Sequence, residues 1–419
     1  MTAMGSETER VSSTTSDELG ARDDQDSGAP SVDRSDVGRA FSYSFKVFLV
    51  MRIGLTALAL AAIGIVPGNQ STDVPGWPAP PPEAGYSNIA TSFERWDALW
   101  FLRIAEDGYA EDDGSAAFFP LYPLVVRGVS TALGGHPLPA ALLVSNAAFL
   151  AALILVYLLT RIEFDDQTAR RTTLYMSVWP TAFFFIAPYS ESLFLMLTAG
   201  SFLSARTRRW GLAALLGALA AATRSIGIVL VAALAVEAVS QFREDESKDP
   251  RALMRSLVGA AGAGLGTLAY LAFWKASAGN WFAPVGEQGN WLREFSFPVT
   301  TLIDGTRVAF RFIGQGFGGY ALMDWFIVVP ALGAGLWVAA RSRPAYGVYV
   351  WASLLIPLTF IFSERPFMSI PRFTVVMWPL FWALAHVAKR WNAHEALVAC
   401  SAVGLGLFTT LFVNWYWIF

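Results

Sequence analysis

The sequence predicts an all-α, polytopic membrane protein. Three observations carry that expectation: 54% of the residues are apolar, only 15% are charged, and the apolar residues gather in runs long enough to cross a bilayer. Mean hydropathy is +0.45, well outside the range of an ordinary soluble domain. Sixteen Trp and thirty-one Phe point the same way, because aromatic rings favour places where an apolar medium meets water or lipid headgroups.

A helix rises about 1.5 Å per residue, so a core about 30 Å thick needs roughly 20 apolar residues. The clearest runs are 47–66, 139–159, 172–187, 189–204, 256–274, 323–340, 346–362, 373–388 and 396–417. Residues 211–239 are interrupted by Thr223, Arg224 and Ser225 and read as two short helices, which brings the expected total to eleven crossings. Lys and Arg are retained on the cytoplasmic side of short loops. With eleven crossings, the clusters around Arg39, Lys46 and Arg52, Arg161 and Arg170, Arg206 and Arg208, Arg243 and Lys248, Arg341 and Arg343, and Lys389 and Arg390 share one face. A single crossing in 211–239 would scatter them over both. The N-terminus is therefore expected in the cytoplasm and the C-terminus outside, in the inner (plasma) membrane of a cell, with long outward loops at 67–135, 275–322 and 363–372.

Residues 1–38 stand apart: Glu7, Asp17, Asp26, Asp36 and other acids are spaced by Ser, Thr and Gly. Such a segment cannot bury enough apolar surface to order itself, and it lacks the basic start and apolar run of a secretory signal. It reads as a disordered cytoplasmic tail on a single membrane domain, 39–419. The lone Cys400 rules out an internal disulfide, and His136, His386 and His394 show no ligand spacing. Neither a metal nor a cofactor is indicated, and no nucleic-acid partner is expected. Gly259, Gly262, Gly264 and Gly266 lie in an apolar run without a preceding strand, so they read as close helix contacts rather than a nucleotide loop.

Chemistry concentrates in the outward segments. On a helical wheel Asp97 falls within an apolar arc beside Trp100, Phe101 and Ile104, with Arg103, Glu106 and Asp107 opposite. A desolvated carboxylate can serve in proton transfer; the alternative is a helix cap. Glu191 lies about one turn inside the outer face, where an acid is costly and marks either a functional group or a buried ion pair. Arg224, at the tip of the short hairpin, can hold a phosphate bidentately or snorkel to the headgroups. Gln288, Trp291, Arg293 and Arg372 add cations, hydrogen-bonding groups and an aromatic ring, which an interfacial belt would also explain.

These pieces occur in order as RWDALWFLRIAEDGY, AFFPLYPL, FFFIAPYSESLF, ATRSIG, EQGNWLR and SIPRFTVVMWPLF. Together they resemble the PIG-V family of membrane mannosyltransferases, related to the second mannosyltransferase of GPI-anchor synthesis, in the manner of a bacterial relative. The resemblance implies a GT-C fold, a lipid-phosphate sugar donor and an essential Asp in the first outward loop. Residue by residue, Trp96 and Asp97 match the WD pair, Tyr189 and Glu191 lie in the YSES segment, and Arg224 is the basic residue after the small-residue run. The expectation is inverting transfer of a sugar, with mannose first, from a polyprenyl phosphate to a lipid or glycan acceptor. Asp97 would be the base, Arg224, Arg372 and Arg293 the phosphate ligands, and Trp96, Tyr189, Glu191, Gln288 and Trp291 the sugar or acceptor contacts. The rival reading is a non-enzymatic transporter or flippase for a phosphorylated headgroup.

Overall fold

A computed structural model of the chain describes residues 30–69, 85–111, 113–315 and 318–418. Most of the acidic tail, 1–29, and the Pro-rich part of the first outward loop, 70–84, lie outside the described residues. The ordered chain begins earlier than the sequence suggests. Helix α1 (Arg34–Ile65) starts inside the expected tail because Asp33 accepts from the Asp36 N–H while Asp36 accepts from the Asp33 N–H, a reciprocal capping box.

Helices α2 (Asn88–Thr91), α3 (Asp97–Asp107) and α4 (Leu121–Ala132) fold the described part of the first outward segment, which is therefore helical rather than loop. The long α5 (Pro137–Glu163) opens on a proline, whose missing N–H is one of the unpaired donors of a first turn in any case. Next come α6 (Asp166–Val178), α7 (Glu191–Arg206), α8 (Trp210–Ala221), α9 (Val229–Glu244), α10 (Pro250–Gly262) and α11 (Leu265–Ala278). The segment expected as a loop at 275–322 carries α12 (Ala283–Asn290), strand β1 (Glu294–Phe295) and α13 (Pro298–Arg311). The chain ends with α14 (Gly318–Arg341), α15 (Pro344–Thr359), β2 (Phe360–Ile361), α16 (Ile370–Thr374), α17 (Leu380–Arg390) and α18 (His394–Val413).

Among the described residues, five helical segments are by themselves long and apolar enough to cross a membrane: α1, α5, Ser225–Glu244, α14 and α18. The pair α10 and α11, bent by 41°, makes a sixth if counted as one span. The other expected crossings are shortened by local chemistry. Helix α6 stops at Val178 because Trp179, which precedes Pro180, is extended with ψ 145°. The run at 373–388 splits, leaving α17 only 11 residues, about 16 Å. The run at 346–362 ends at Thr359, where Phe360 and Ile361 leave the helix to pair antiparallel with β1. The all-α expectation is thus amended, among the described residues, by one small sheet, which matters because it ties together two segments expected to lie outward. The interruption at 222–224 is present, with α8 ending at Ala221 and a tight turn leading into α9. Gly266 is a close helix contact, as expected: a Cβ there would overlap the Ala218 carbonyl.

The two ends of the bundle are locked differently. At the end holding the basic clusters, Arg206 pairs with Glu163 at 2.5 Å and Glu237 at 3.1 Å, while Arg343 pairs with Glu237 and Glu244 at 3.0 Å each. Tyr346 adds a hydrogen bond to Glu163. At the other end Arg365 forks onto Asp324 at 2.6 and 2.8 Å and donates to the carbonyls of Trp417 and Ile418. Both side chains of that pair are buried, so the attraction is strong only while both charges are present. We expect Asp324→Asn to destabilise the protein by about 3–5 kcal/mol, the usual cost of leaving one member of a buried pair alone. Joint replacement by Asp324→Leu and Arg365→Met should recover much of the loss. Unfolding in detergent micelles measures both, and an unchanged midpoint for Asp324→Asn would refute the clamp.

Candidate active site

Beside the Arg365 clamp, five segments distant in sequence converge. The first enters through a kink. Trp96 takes φ 56° immediately before α3, a conformation that costs a non-glycine residue about 1–3 kcal/mol and persists only where packing enforces it. The Trp96 ring lies edge-on to Trp415 at 5.7 Å, and Arg95 donates to the Val413 carbonyl at 3.0 Å with its guanidinium 4.6 Å from the Trp415 ring. From the other side the Tyr189 hydroxyl donates to the Arg95 carbonyl at 2.7 Å. The end of α18 and the start of α7 therefore hold the kink. Asp97, the next residue, opens α3 without capping it: Trp96 occupies the cap position, and the Asp97 carboxylate accepts from Arg372 Nη1.

Arg372 is the hub. Its Nε donates to Glu191 Oε1, and its guanidinium lies 4.7 Å from the Tyr189 ring and 5.1 Å from that of Phe184. Burial alone would lower this guanidinium's pKa, but the Glu191 and Asp97 carboxylates overcome that and hold it above its ordinary value. Glu191 also takes Arg224 at 2.7 Å, so two guanidiniums compensate one fully buried carboxylate. Arg224 donates to Ser190 Oγ at 3.1 Å, and Phe373 lies 5.1 Å from its guanidinium. Two buried atoms of this pair, Arg224 Nε and Glu191 Oε2, have no hydrogen-bond partner.

The third guanidinium comes from the segment after α12. Arg293 donates to the Phe360 carbonyl at 3.2 Å and to Ser369 Oγ at 3.0 Å. The β1–β2 pairing holds this segment beside β2, and the Ser369 that Arg293 reaches lies three residues before Arg372. Burial draws its pKa below the ordinary value, and the negative charge of Asp97 opposes this. Among the described residues it has no carboxylate partner. Trp291 sets its ring 5.9 Å from those of both Trp100 and Phe118, building an aromatic wall beside α3. Gln288 lies on α12, and its side chain is outside the described ones.

The structure thus brings together Asp97, Glu191, Arg224, Arg372 and Arg293, with Trp96 and Tyr189 as supports. Tyr189 and Glu191 are buried against Arg372 rather than facing open space. Arg224 and Arg372 are engaged by carboxylates, an arrangement that only folding could reveal. Not singled out in the sequence are Arg95 and Ser369, and also Ser145, which links the Tyr122 hydroxyl (2.8 Å) to the Tyr189 carbonyl (3.1 Å), whereas Ser190 stands in the YSES segment that the sequence did single out. An intramembrane acid was the available signal for Asp324; the uncharged partners carried none.

The sequence profile of a family described as Mannosyltransferase (PIG-V) matches residues 83–261, a stretch that contains Asp97, Glu191 and Arg224 but not Arg293 or Arg372. GPI mannosyltransferase 2 of Cryptococcus neoformans var. neoformans serotype D is 34% identical over 145 residues, covering 32% of this chain and 34% of that protein. GPI alpha-1,6-mannosyltransferase 2 of Rattus norvegicus is 35% identical over 147 residues, covering 33% and 30%. The chain spans about a third of the length of the curated relatives it matches. Among solved structures, ArnT from Cupriavidus metallidurans bound to undecaprenyl phosphate aligns with TM-score 0.47 and 14% identity, over 78% of this chain and 74% of that one.

The unequal burial of the two carboxylates separates their contributions to stability. Glu191→Gln, which strands two guanidiniums, should destabilise by about 3–5 kcal/mol. Asp97→Asn should cost clearly less, because Asp97 is 27% exposed where Glu191 is 0%. Unfolding of the two variants side by side in one detergent tests the order, and equal losses would contradict it.

Proposed function

We propose that this chain is a membrane mannosyltransferase of GT-C type, transferring mannose from a polyprenyl-phosphate donor to a hydroxyl of a lipid or glycan acceptor at the outer face of the membrane, with inversion. The observation that carries the reading is the difference between the two carboxylates on Arg372: Glu191 is fully buried, whereas Asp97 retains exposed surface next to an aromatic wall. A base has to reach its substrate; a positioning group does not. The PIG-V match over residues 83–261 and the mannosyltransferase names of the similar proteins support the reaction class.

In this reading Asp97 accepts the proton of the acceptor hydroxyl as its oxygen bonds to the anomeric carbon. The bond from that carbon to the donor phosphate breaks in the same displacement, and the phosphate leaves with the electron pair. Two carboxylates meet three guanidiniums here, so one positive charge is left over, and among the described residues Arg293 is the cation that no carboxylate claims. Arg293 is accordingly the principal phosphate ligand. Arg372 and Arg224 hold Asp97 and Glu191 in place and lend field rather than direct contact, and preorganised cations of this kind stabilise a departing anion. Trp291 offers a ring face to the sugar or the acceptor. Tyr189 and Glu191 act through Arg372, and Trp96 through the kink that aims Asp97.

The topology that goes with this reading has eleven passes, the shorter helices completing their crossings through the flanking turns. The N-terminus is cytoplasmic and the C-terminus is outside, where the Arg365 clamp holds it. Support comes from the segregation of the basic clusters to the end opposite Asp97. Single cysteines at Lys275 and Lys248, labelled in intact cells with an impermeant thiol reagent, should react at 275 and not at 248. The reverse pattern would overturn the orientation.

Asp97→Asn should lower transfer by about 100- to 10,000-fold, the usual range for a general base, with insertion and donor binding retained. Glu106→Gln and Asp107→Asn, exposed at the far end of α3, should leave it near wild type. Arg293→Ala should raise the donor KM more than Arg293→Lys, which keeps the charge but loses the fork. The assay is purified protein in nanodiscs with polyprenyl-phosphate mannose and a panel of lipid and glycan acceptors. Wild-type turnover in Asp97→Asn removes it as the base, and headgroup translocation without sugar transfer in the wild type would make the protein a flippase.

A further inference from the structure

The geometry points to a second lipid site in the opposite leaflet, where an anionic glycerophospholipid lies along α1 with its phosphate at Lys46 and an acyl chain in the groove between α1, α6 and α18. Two cavities meet there. One, of about 370 Å³, is almost wholly apolar and runs past Val50, Leu55, Leu58, Leu174 and Leu405. The other, of about 400 Å³, is lined by Ser35, Ser42, Tyr43, Arg39, Lys46 and Arg170, three of them basic and none acidic. Lys46 lines both.

Charge selects the occupant. The nearby acids are already engaged: Asp36 and Asp166 pair with Arg39 and Arg170, and Asp33 and Asp165 cap α1 and α6. Arg39 and Arg170 keep 46% and 51% of their side-chain surface exposed, so each retains donors facing outward. Lys46 is exposed and has no partner among the described residues. One uncompensated ammonium, two forked donors and the Ser42 hydroxyl at a membrane interface suit a phosphate bearing net negative charge, while the Ser35 and Tyr43 hydroxyls already donate to Asp33 and to the Arg170 carbonyl. The groove is also open where side chains would ordinarily close it. Gly54 in α1 has nothing within 4 Å of a Cβ position, and a Cβ on Gly406 in α18 would reach only Leu58, at 4.0 Å.

Length fixes the leaflet. From Lys46 to Leu58 the groove follows α1 for about 18 Å, a little over half of a hydrocarbon core about 30 Å thick. The far end of α1 lies beside the other site, where the Asn69 N–H donates to the Asn414 carbonyl at 2.9 Å. The lipid held here therefore sits across the membrane from Asp97 and is distinct from any sugar donor. Its role is to hold α1 against α6 and α18, whose end fixes the Trp96 kink.

The test uses the full chain, delipidated in neutral detergent and titrated with phosphatidylglycerol or phosphatidylcholine of equal chain length, retained lipid being counted by native mass spectrometry. We expect one phosphatidylglycerol retained at least tenfold more strongly than phosphatidylcholine. Lys46→Gln should abolish that preference, and Lys275→Gln, at the other end of the bundle, should not. Gly54→Leu, which fills the groove at an exposed position, should lower retention of both lipids. Equal retention of the two lipids by the wild type, undiminished preference in Lys46→Gln, or loss of phosphatidylglycerol to millimolar inorganic phosphate alone would each overturn the inference. None of these readouts depends on sugar transfer.

Discussion

Arg372 donates to Asp97 with one nitrogen and to Glu191 with another, and the end of the molecule opposite the basic clusters is arranged around that bridge. The two acids begin α3 and α7, and the arginine lies in α16. None of the three charges could be buried there alone, since an isolated ion pays several kcal/mol in desolvation. Glu191 tolerates complete burial because Arg224 reaches it from the α8–α9 break, and Arg372, nearly buried, is sheltered by the ring faces of Tyr189 and Phe184. Folding one of these helices wrongly would strand the charges of the others, so the cluster enforces the mutual placement of its parts.

The remaining outward contacts serve the bridge. Arg365, clamped to Asp324 and to the last carbonyls of the chain, fixes the segment that leads into Arg372. Ser369, with φ 68°, turns that segment and accepts from Arg293. The end of α18 fastens Arg95 and Trp96, and so aims Asp97. Side chains held in this way need little reorganisation when charge develops, which is what the displacement we propose would require. The basic end is different in kind: its Glu–Arg–Tyr network is closed upon itself, joining α5, α7, α9 and the start of α15, and it offers stiffness rather than chemistry.

Much of this was legible in the sequence. Apolar run length announced a membrane protein, and the spacing of Lys and Arg separated the two ends of the bundle correctly. The polar break at Thr223–Ser225 divided α8 from α9. Asp97, Glu191, Arg224 and Arg372 were identifiable as residues whose charge is out of place among apolar neighbours, which is a local property. Helix ends were read less well wherever a proline or a strand pairing intervened, as at Trp179–Pro180 and at Phe360, because hydropathy is blind to backbone geometry.

By itself the sequence determined the medium in which the chain folds and the identity of its charged outliers, since both follow from the cost of placing each side chain in hydrocarbon. Only the tertiary structure decided which charges pair. Arg372 lies 275 residues from Asp97 and 181 from Glu191, and no periodicity spans such distances. Pairing also decided which arginines are engaged: two expected to meet a phosphate are held by carboxylates, and among the described residues Arg293 has none. A charge in sequence is only a capacity, and what it does is set by the opposite charge that packing brings within reach.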